Sequence, residues 1–227
     1  IVVDNLSELH KVEKIAGEHN VVVEVSLRIK PGIDAHTHEF IRTGQIDSKF
    51  GLDLESGEAM EALRQAKEMS HLVVKGLHCH IGSQILEKTP FVHAAEVMLH
   101  FFDQVRKELG IVFTFLNLGG GFGIHYTEQD HAVPYEEYME AVSAAVHKTC
   151  EELQMDLPYI YIEPGRSVVG EAGITLYTVG TIKEIPGIRN YVAIDGGMFD
   201  NPRYALYHSD YIFLLANLVL ITLQPRR

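Results

Sequence analysis

The sequence predicts an α/β fold with a parallel sheet, either doubly wound or closed as a (β/α)8 barrel, followed by a β-rich segment. Three observations lead to this prediction. Apolar runs alternate with amphipathic helical segments, which is typical of strands buried on both faces of a parallel sheet. Polar and glycine-rich motifs follow the strands, where such sheets build their sites. After Gly173 the helical spacing stops.

The first half of the chain contains three of the predicted strands. IVVD fits the end of a strand, and Asn5 with Glu8 three positions later fits a capped helix start. The next strand, VVVEVSLRI, is β-branched and ends at Pro31. A helix is expected near residues 57–70, and HLVVKGLHCHI is the third strand.

The same alternation continues to Gly173. Thr89 and Pro90 fit the start of a helix that Gly110 closes. IVFTFLNL, a helix from Pro134 and the strand YIYIEPG follow. This makes five strands and four helices, and five strands cannot close an eight-stranded barrel. In a barrel they would be about the fourth to the eighth strand, and the glycines would follow the seventh, the usual position of a barrel phosphate site.

The remaining segment is predicted to begin a second, β-rich domain. TLYTVGTIKEI, a turn at IPGIRN and YVAIDGG follow one another without helical spacing. We therefore expect a domain boundary between residues 173 and 174.

Composition and charge narrow the function classes. The 227 residues are 46% hydrophobic and 22% charged, as in an ordinary globular protein. The formal net charge of -12 leaves no basic face for nucleic acid or an anionic membrane. The run YIFLLANLVLITL is too short to span a bilayer. With two cysteines and no signal peptide, we expect a cytoplasmic protein that acts on a small molecule.

The stretch LNLGGGFGIHY contains three successive glycines, Gly119 to Gly121. It fails the dinucleotide pattern and the P-loop pattern, because Ile124 and His125 stand where those motifs need other residues. Three successive N–H groups can form an anion nest, and the anion expected here is a phosphate. A tight turn with close packing explains the glycines equally well.

Two pairs of histidines resemble a metal site but do not predict one. His36 and His38 have the spacing of amidohydrolase-type zinc ligands, and His78 and His80 repeat it. Such a site needs further ligands at later strand ends, which here carry glycines and EPGR. We expect no metal. His36 and His38 then fit a polar loop, and His78 fits a core histidine hydrogen-bonded to the backbone.

EPGR places Glu163 and Arg166 on one short turn after a strand. A guanidinium there can bind a phosphate or carboxylate through two hydrogen bonds. A surface ion pair between the two residues is the alternative. Lys30 and Lys49, the lysines nearest the predicted strand ends, fit solvated side chains.

Five motifs in order resemble those of the diaminopimelate decarboxylases, a branch of the alanine racemase-like and ornithine decarboxylase-like enzymes that use pyridoxal 5'-phosphate (PLP). They are HEFIRTGQIDSKFGLD, GLHCHIGSQ, LNLGGGFGIHY, IEPGRSVVGEAG and DGGMFDNPRYALY. TGQIDSKFG and NPRYALY are closer to this branch than to ornithine or arginine decarboxylases. The resemblance implies that residues 1–173 are the later part of a PLP-binding (β/α)8 barrel and that residues 174–227 begin a C-terminal β domain.

The resemblance also implies roles for individual residues. His80 would stack on the pyridine ring, and Glu163 would pair with the ring nitrogen. Further cofactor contacts would come from Ser83, Gly119, Gly120, Gly121, Gly165 and Arg166. The substrate would be bound by Arg166, Arg203 and Tyr207.

The implied reaction is the PLP-dependent decarboxylation of meso-2,6-diaminopimelate to L-lysine, the last step of lysine biosynthesis, by a homodimer. Glu163 favours decarboxylation over racemisation, because a carboxylate keeps the pyridine protonated. No lysine of this chain matches the Schiff-base lysine, and neither cysteine matches the one given to the partner's site, so the chain alone is expected to be inactive. The alternatives are a related ornithine/arginine-type decarboxylase, a non-catalytic PLP-binding protein and a metal-dependent hydrolase.

Overall fold

The computed structural model describes residues 1–33 and 49–216. His36, His38, most of the TGQIDSKFG loop and the end of YIFLLANLVLITL lie outside these residues. The chain divides into two compact units. The first comprises Ile1–Ile124 with His131–Gly170, and the second comprises His125–Asp130 with the described residues from Glu171 onward.

Apart from the short third strand, which follows the second, the described strands and helices of the first unit alternate as far as its last helix. Its strands are β1 (Val2–Val3), β2 (Val23–Lys30), β3 (Leu52–Asp53), β4 (Leu72–Cys79), β5 (Phe115–Asn117) and β6 (Tyr159–Tyr161). Its helices are α1 (Leu6–Glu18), α2 (Glu58–Glu68), α3 (Thr89–Leu109), α4 (Tyr135–Leu153) and α5 (Gly165–Val169).

The strands form one parallel sheet in the order β1-β2-β4-β5-β6, with β3 paired to β2. Each strand of this path lies beside the one before it, so the described strands have no point where the order reverses. A doubly wound sheet has such a reversal, whereas a (β/α)8 barrel adds its strands in one direction. The order therefore agrees with successive strands of a barrel and not with the doubly wound alternative.

Local signals define the helix ends. The side chain of Asn5 accepts a hydrogen bond from the Glu8 N–H at 2.9 Å, which confirms the predicted N-cap of α1. The Glu8 carboxylate accepts in turn from the Asp4 N–H at 2.6 Å. Gly110 ends α3 in the left-handed conformation, with φ of 69°, as predicted.

The two faces of the sheet differ in chemistry. One face carries apolar side chains that join the buried core with residues of α2, α3 and α4, and it includes Leu27, Leu77 and Leu116. The residues that follow these in each strand are paired in register and point to the other face, and they are Arg28, His78 and Asn117. The face of the sheet opposite the apolar core therefore carries a row of polar groups.

Three short elements differ from the sequence prediction. β5 covers only Phe115–Asn117 of the predicted IVFTFLNL strand, and Val112 in that run is exposed. The sequence did not predict β3, which adds two residues to the edge of β2, or α5, the single turn that begins within EPGR. Such short elements carry too few residues for a periodic pattern.

The second unit contains an antiparallel hairpin of β7 (Val179–Ile185) and β8 (Arg189–Ile194). Its turn includes Gly187 with φ of 76°, where the sequence predicts a turn. The helix α6 (Arg203–Tyr207) follows, in a segment for which no helix was predicted. Within the described part of the chain, no helix is both long and apolar enough to cross a membrane.

Candidate functional site

Most of the predicted site residues lie at the carboxyl ends of β4, β5 and β6. His80 and Ser83 follow β4, the glycines follow β5, and Glu163 and Arg166 follow β6. Since these strands are parallel neighbours, the loops that follow them meet at one end of the sheet. The first unit therefore contains all the predicted cofactor contacts.

His80 contacts the glycine loop directly. The Gly120 N–H donates a hydrogen bond to His80 Nδ1 at 3.2 Å, which assigns the imidazole proton to Nε2. Burial, helped by the nearby Arg28 and His78 and opposed by the charge of Glu163, lowers the pKa of His80 to about 4. The ring is therefore neutral at physiological pH.

The glycine loop is packed against backbone on both sides. A methyl group added at Gly120 would overlap the carbonyl oxygen of Glu163, and one added at Gly121 would overlap the carbonyl oxygen of Gly82. Gly121 also has φ of 101°, which side chains rarely adopt. Close packing between loops is therefore one reason for the glycines.

The N–H groups of this loop are not all available to a ligand. The Gly119 N–H donates to Asn117 Oδ1 at 2.9 Å, and the Gly120 N–H donates to His80. The Gly121 N–H takes part in neither contact. In this conformation the Gly119 and Gly120 N–H groups thus have acceptors within the protein, and phosphate binding by the three glycines stays a prediction.

Hydrogen bonds from the neighbouring loop hold the glycine loop in place. The Ile85 N–H donates to the Gly121 carbonyl at 2.9 Å, and the Gly123 N–H donates to the Ile85 carbonyl at 2.9 Å. The side-chain amide of Gln84 donates to the Ile124 carbonyl at 2.6 Å. The Tyr138 hydroxyl, from α4, donates to the Ile85 carbonyl at 2.9 Å. The two loops thus form one hydrogen-bonded structure.

Glu163 has two side-chain neighbours. Its Oε1 accepts a hydrogen bond from Asn117 Nδ2 at 2.9 Å and lies 3.4 Å from His78 Nε2. The Glu163 side chain is 53% exposed, whereas that of His78 is 6% exposed. Burial lowers the pKa of His78, opposed by the Glu163 charge. His78 is thus a core histidine, as one interpretation of the sequence has it, but its neighbour is a carboxylate and not the backbone.

Ser83 and Arg166 connect the loops after β4 and β6. Arg166 Nη2 donates a hydrogen bond to Ser83 Oγ at 2.8 Å. The hydrogen bonds that the structure shows for Arg166 and Glu163 thus go to different partners. Gly165 is exposed, begins α5 and has space around its α-carbon.

The two remaining predicted residues belong to the second unit. Arg203 and Tyr207 lie at the two ends of α6, and the Arg203 guanidinium is 5.1 Å from the centre of the Tyr207 ring. This cation–π contact orients the two side chains relative to each other.

Sequence reasoning missed Asn117. Its signal is a polar residue within an apolar strand, in the same register as His78 on the neighbouring strand. Among residues 1–33 and 49–216, no cluster of three or more His, Cys, Asp and Glu side chains could hold a metal ion.

Acid should destabilise the chain through His80. The unfolded imidazole takes up a proton near pH 6.5, whereas the folded one does so only near pH 4. The free energy of unfolding should therefore fall by at most about 3 kcal/mol through this group as the pH drops across that window. His80→Asn, which keeps an acceptor near Nδ1, should make the fall shallower. Urea unfolding at pH 7 and pH 4.5 measures this, with exposed His100→Asn as the control. Equal slopes in the parent and His80→Asn would contradict the assignment.

The chain is similar to a known protein family and to several known relatives. The family model described as "Pyridoxal-dependent decarboxylase, pyridoxal binding domain" matches residues 1–170. The diaminopimelate decarboxylase of Bacillus subtilis (strain 168) is 50% identical over 217 residues, covering 96% of this chain and 49% of the relative. That of Staphylococcus aureus (strain COL) is 50% identical over 216 residues, covering 95% of this chain and 50% of the relative.

Solved structures agree with the fold prediction. Diaminopimelate decarboxylase from M. jannaschii in complex with L-lysine superposes with a TM-score of 0.82 and 38% identity, over 92% of this chain and 48% of that one. The enzyme from Helicobacter pylori complexed with L-lysine gives 0.81 and 33%, over 93% of this chain and 50% of that one. The partial-barrel prediction is confirmed. This chain spans about half the length of the curated relatives it matches.

Proposed function

Because the chain belongs to the pyridoxal-dependent decarboxylase family, we propose that it is the central part of a diaminopimelate decarboxylase. The reaction is the release of carbon dioxide from meso-2,6-diaminopimelate to give L-lysine. The observation that carries the proposal is the meeting of His80, Glu163 and the Ser83–Arg166 pair at one end of the sheet. These are the groups that the resemblance assigns to PLP.

The residues of the site fit a phosphorylated cofactor. The hydroxyl of Ser83, the guanidinium of Arg166 and the N–H of Gly121 are donors suited to a phosphate. The three glycines add no side chain to a loop whose packing leaves no space for one. Gly165 has no side chain and begins α5, so the loop after β6 stays open to a ligand at that point. We therefore assign phosphate binding to these residues.

The other two residues act on the ring of the cofactor. Bound PLP would supply an electron sink for the electron pair that carbon dioxide leaves behind. Glu163 would hold a proton at the pyridine nitrogen, since a carboxylate beside that atom favours its protonated form. The neutral imidazole of His80 would pack on the face of the ring. Arg203, Tyr207 and Arg166 would bind the carboxylates of the substrate, in agreement with a substrate that has one at each end.

Residues outside this chain would complete the enzyme. The strand β6 is an exposed sheet edge, with Tyr159 and Tyr161 75% and 52% exposed, and such edges are normally covered. No lysine here matches the one that forms the Schiff base. We propose a cytoplasmic homodimer with residues 1–173 in the barrel and 174–227 in the β domain. The two buried, unpaired thiols of Cys79 and Cys150 agree with a reducing compartment.

Carbon dioxide release by the protein that carries this chain tests the activity. We expect PLP-dependent release from meso-2,6-diaminopimelate and little from L-ornithine or L-arginine. Release from either of these without release from diaminopimelate would assign the chain to a related decarboxylase. PLP binding without any release would indicate a non-catalytic PLP-binding protein.

The 227-residue chain alone provides a second test. We expect weak, non-covalent PLP binding and no turnover, because the matching lysine is absent. Borohydride treatment followed by peptide mapping should find no PLP attached to a lysine. A mapped lysine that carries the cofactor would contradict this proposal.

A further inference from the structure

The contacts of Glu163 suggest a role for two neighbouring residues. Asn117 Nδ2 and His78 Nε2 both face the same oxygen, Oε1, at 2.9 Å and 3.4 Å. The other oxygen, Oε2, takes part in neither contact. Two neighbours on one oxygen restrict the rotation of the carboxylate and so limit the directions open to its second oxygen.

The sheet itself places these groups together. His78 and Asn117 are paired in register on β4 and β5, so their side chains project from the same face. Asn117 is paired in turn with Tyr161, the last residue of β6, and Glu163 lies two residues beyond the end of that strand. Backbone geometry thus brings the three side chains to one place.

Asn117 is fixed at both ends of its amide. Its Oδ1 accepts the hydrogen bond from the Gly119 N–H at 2.9 Å, which leaves its Nδ2 as the donor to Glu163. The Glu163 N–H donates to the Gly119 carbonyl at 2.8 Å. Asn117 therefore connects the glycine loop with the carboxylate, and its amide orientation follows from its two partners.

Burying the imidazole of His78 costs free energy, and packing does not explain why a polar side chain is present there. Its Nδ1 is buried and has no hydrogen-bond partner among the residues that the structure describes. A buried unpaired acceptor is unfavourable, and an apolar side chain of similar size would avoid it. The group that has a neighbour is Nε2, beside Glu163. Arg28 and Asp4, on the adjacent strand and loop, are the other charged groups near this imidazole.

We propose that Asn117 and His78 are positioning residues that fix Oε1 of Glu163 and so direct Oε2 to the ring nitrogen of bound PLP. The inference rests on the proposed function. Neither residue contacts the reacting atoms, and both act through Glu163. Their loss should lower kcat more than it raises KM, because Glu163 would still be present but less well oriented.

Three variants of the protein that carries this chain, loaded with PLP, test the inference. His78→Leu removes the donor and keeps the volume, while His78→Gln restores a donor near the position of Nε2. Asn117→Asp keeps the acceptor for Gly119 and loses the donor to Glu163. We expect His78→Leu and Asn117→Asp to lower kcat about tenfold to a hundredfold. His78→Gln should recover most of it, and exposed His100→Leu is the control.

A spectroscopic readout separates positioning from general damage. The visible absorbance of bound PLP, titrated with pH, reports the protonation of its ring. In His78→Leu its midpoint should move to lower pH, because a misplaced carboxylate stabilises the ring proton less, and His78→Gln should move it back. In the Glu163→Gln background, His78→Leu should cause no further loss of kcat.

The outcomes distinguish this inference from the proposed function. A parent that binds no PLP and releases no carbon dioxide overturns both. An active parent whose His78→Leu and Asn117→Asp variants stay within twofold of its kcat, with unchanged titrations, overturns the inference alone. Additive losses of kcat in the Glu163→Gln background also overturn it. Circular dichroism verifies that the variants are folded, and His78→Gln provides the test if His78→Leu is not.

Discussion

Glu163→Gln is expected to lower kcat for diaminopimelate decarboxylation at least about a hundredfold, the loss typical of removing one group that stabilises developing charge. Glutamine keeps the size of the side chain and can still accept from Asn117, so the fold should not change. Only the negative charge is lost, and with it the preference for a protonated ring nitrogen. Carbon dioxide release and PLP affinity, measured on the same preparation, separate catalysis from binding.

The exposed Glu152, which is 3.9 Å from Lys148 on the outer helix α4, provides the matched control for this substitution. Glu152→Gln should retain the parent's kcat. A Glu163→Gln protein that binds PLP and keeps most of its kcat would remove Glu163 from the mechanism.

Gly120→Ala should weaken PLP binding strongly and destabilise the fold. The added methyl group would overlap the carbonyl oxygen of Glu163, which is backbone and can move only if the loop after β6 moves. Overpacking of this kind costs about 1 to 3 kcal/mol. The same movement would displace Glu163 and separate Gly120 from His80. We expect PLP affinity to fall at least about a hundredfold, since small displacements of binding groups have effects of that size.

Gly173→Ala is the control for this substitution, because an added methyl group there meets no atom within 4 Å. Urea unfolding and PLP titration of both variants measure the two effects. Normal PLP binding by Gly120→Ala would show that the loops tolerate the methyl group, and it would remove the packing explanation for this glycine.

The sequence was sufficient to predict most of the fold of the first unit. The alternation of apolar runs and helical patterns spans many residues, so the five strands of the main path and the four long helices could be recognised. Asn5 and Gly110 marked helix ends because each acts through local backbone geometry. The two-residue β3 depends on the register of β2, a distant partner that no local pattern reveals.

For a similar reason, the sequence indicated some residues of the candidate site and missed others. Glu163 and the glycines stand out because their residue types are unusual after apolar strands, whereas the role expected of His80 follows from the family resemblance. The sequence could not show that the Gly119 and Gly120 N–H groups have acceptors within the protein, because these acceptors come from a strand residue and from a neighbouring loop. Asn117 was missed because a single polar residue in a strand does not by itself indicate a site. Its position becomes informative only when the sheet pairs it with His78.

The Tyr138 hydroxyl, which holds the Ile85 carbonyl from α4, has a consequence for the thermodynamics of ligand binding. Because helix, loop and glycine turn are already joined, the loop has lost most of its conformational entropy during folding. Ligand binding there does not need to order the loop again, so less of the favourable contact energy is offset by lost entropy and the affinity is higher. A residue on α4 can therefore raise the affinity of this loop for a ligand without touching the ligand.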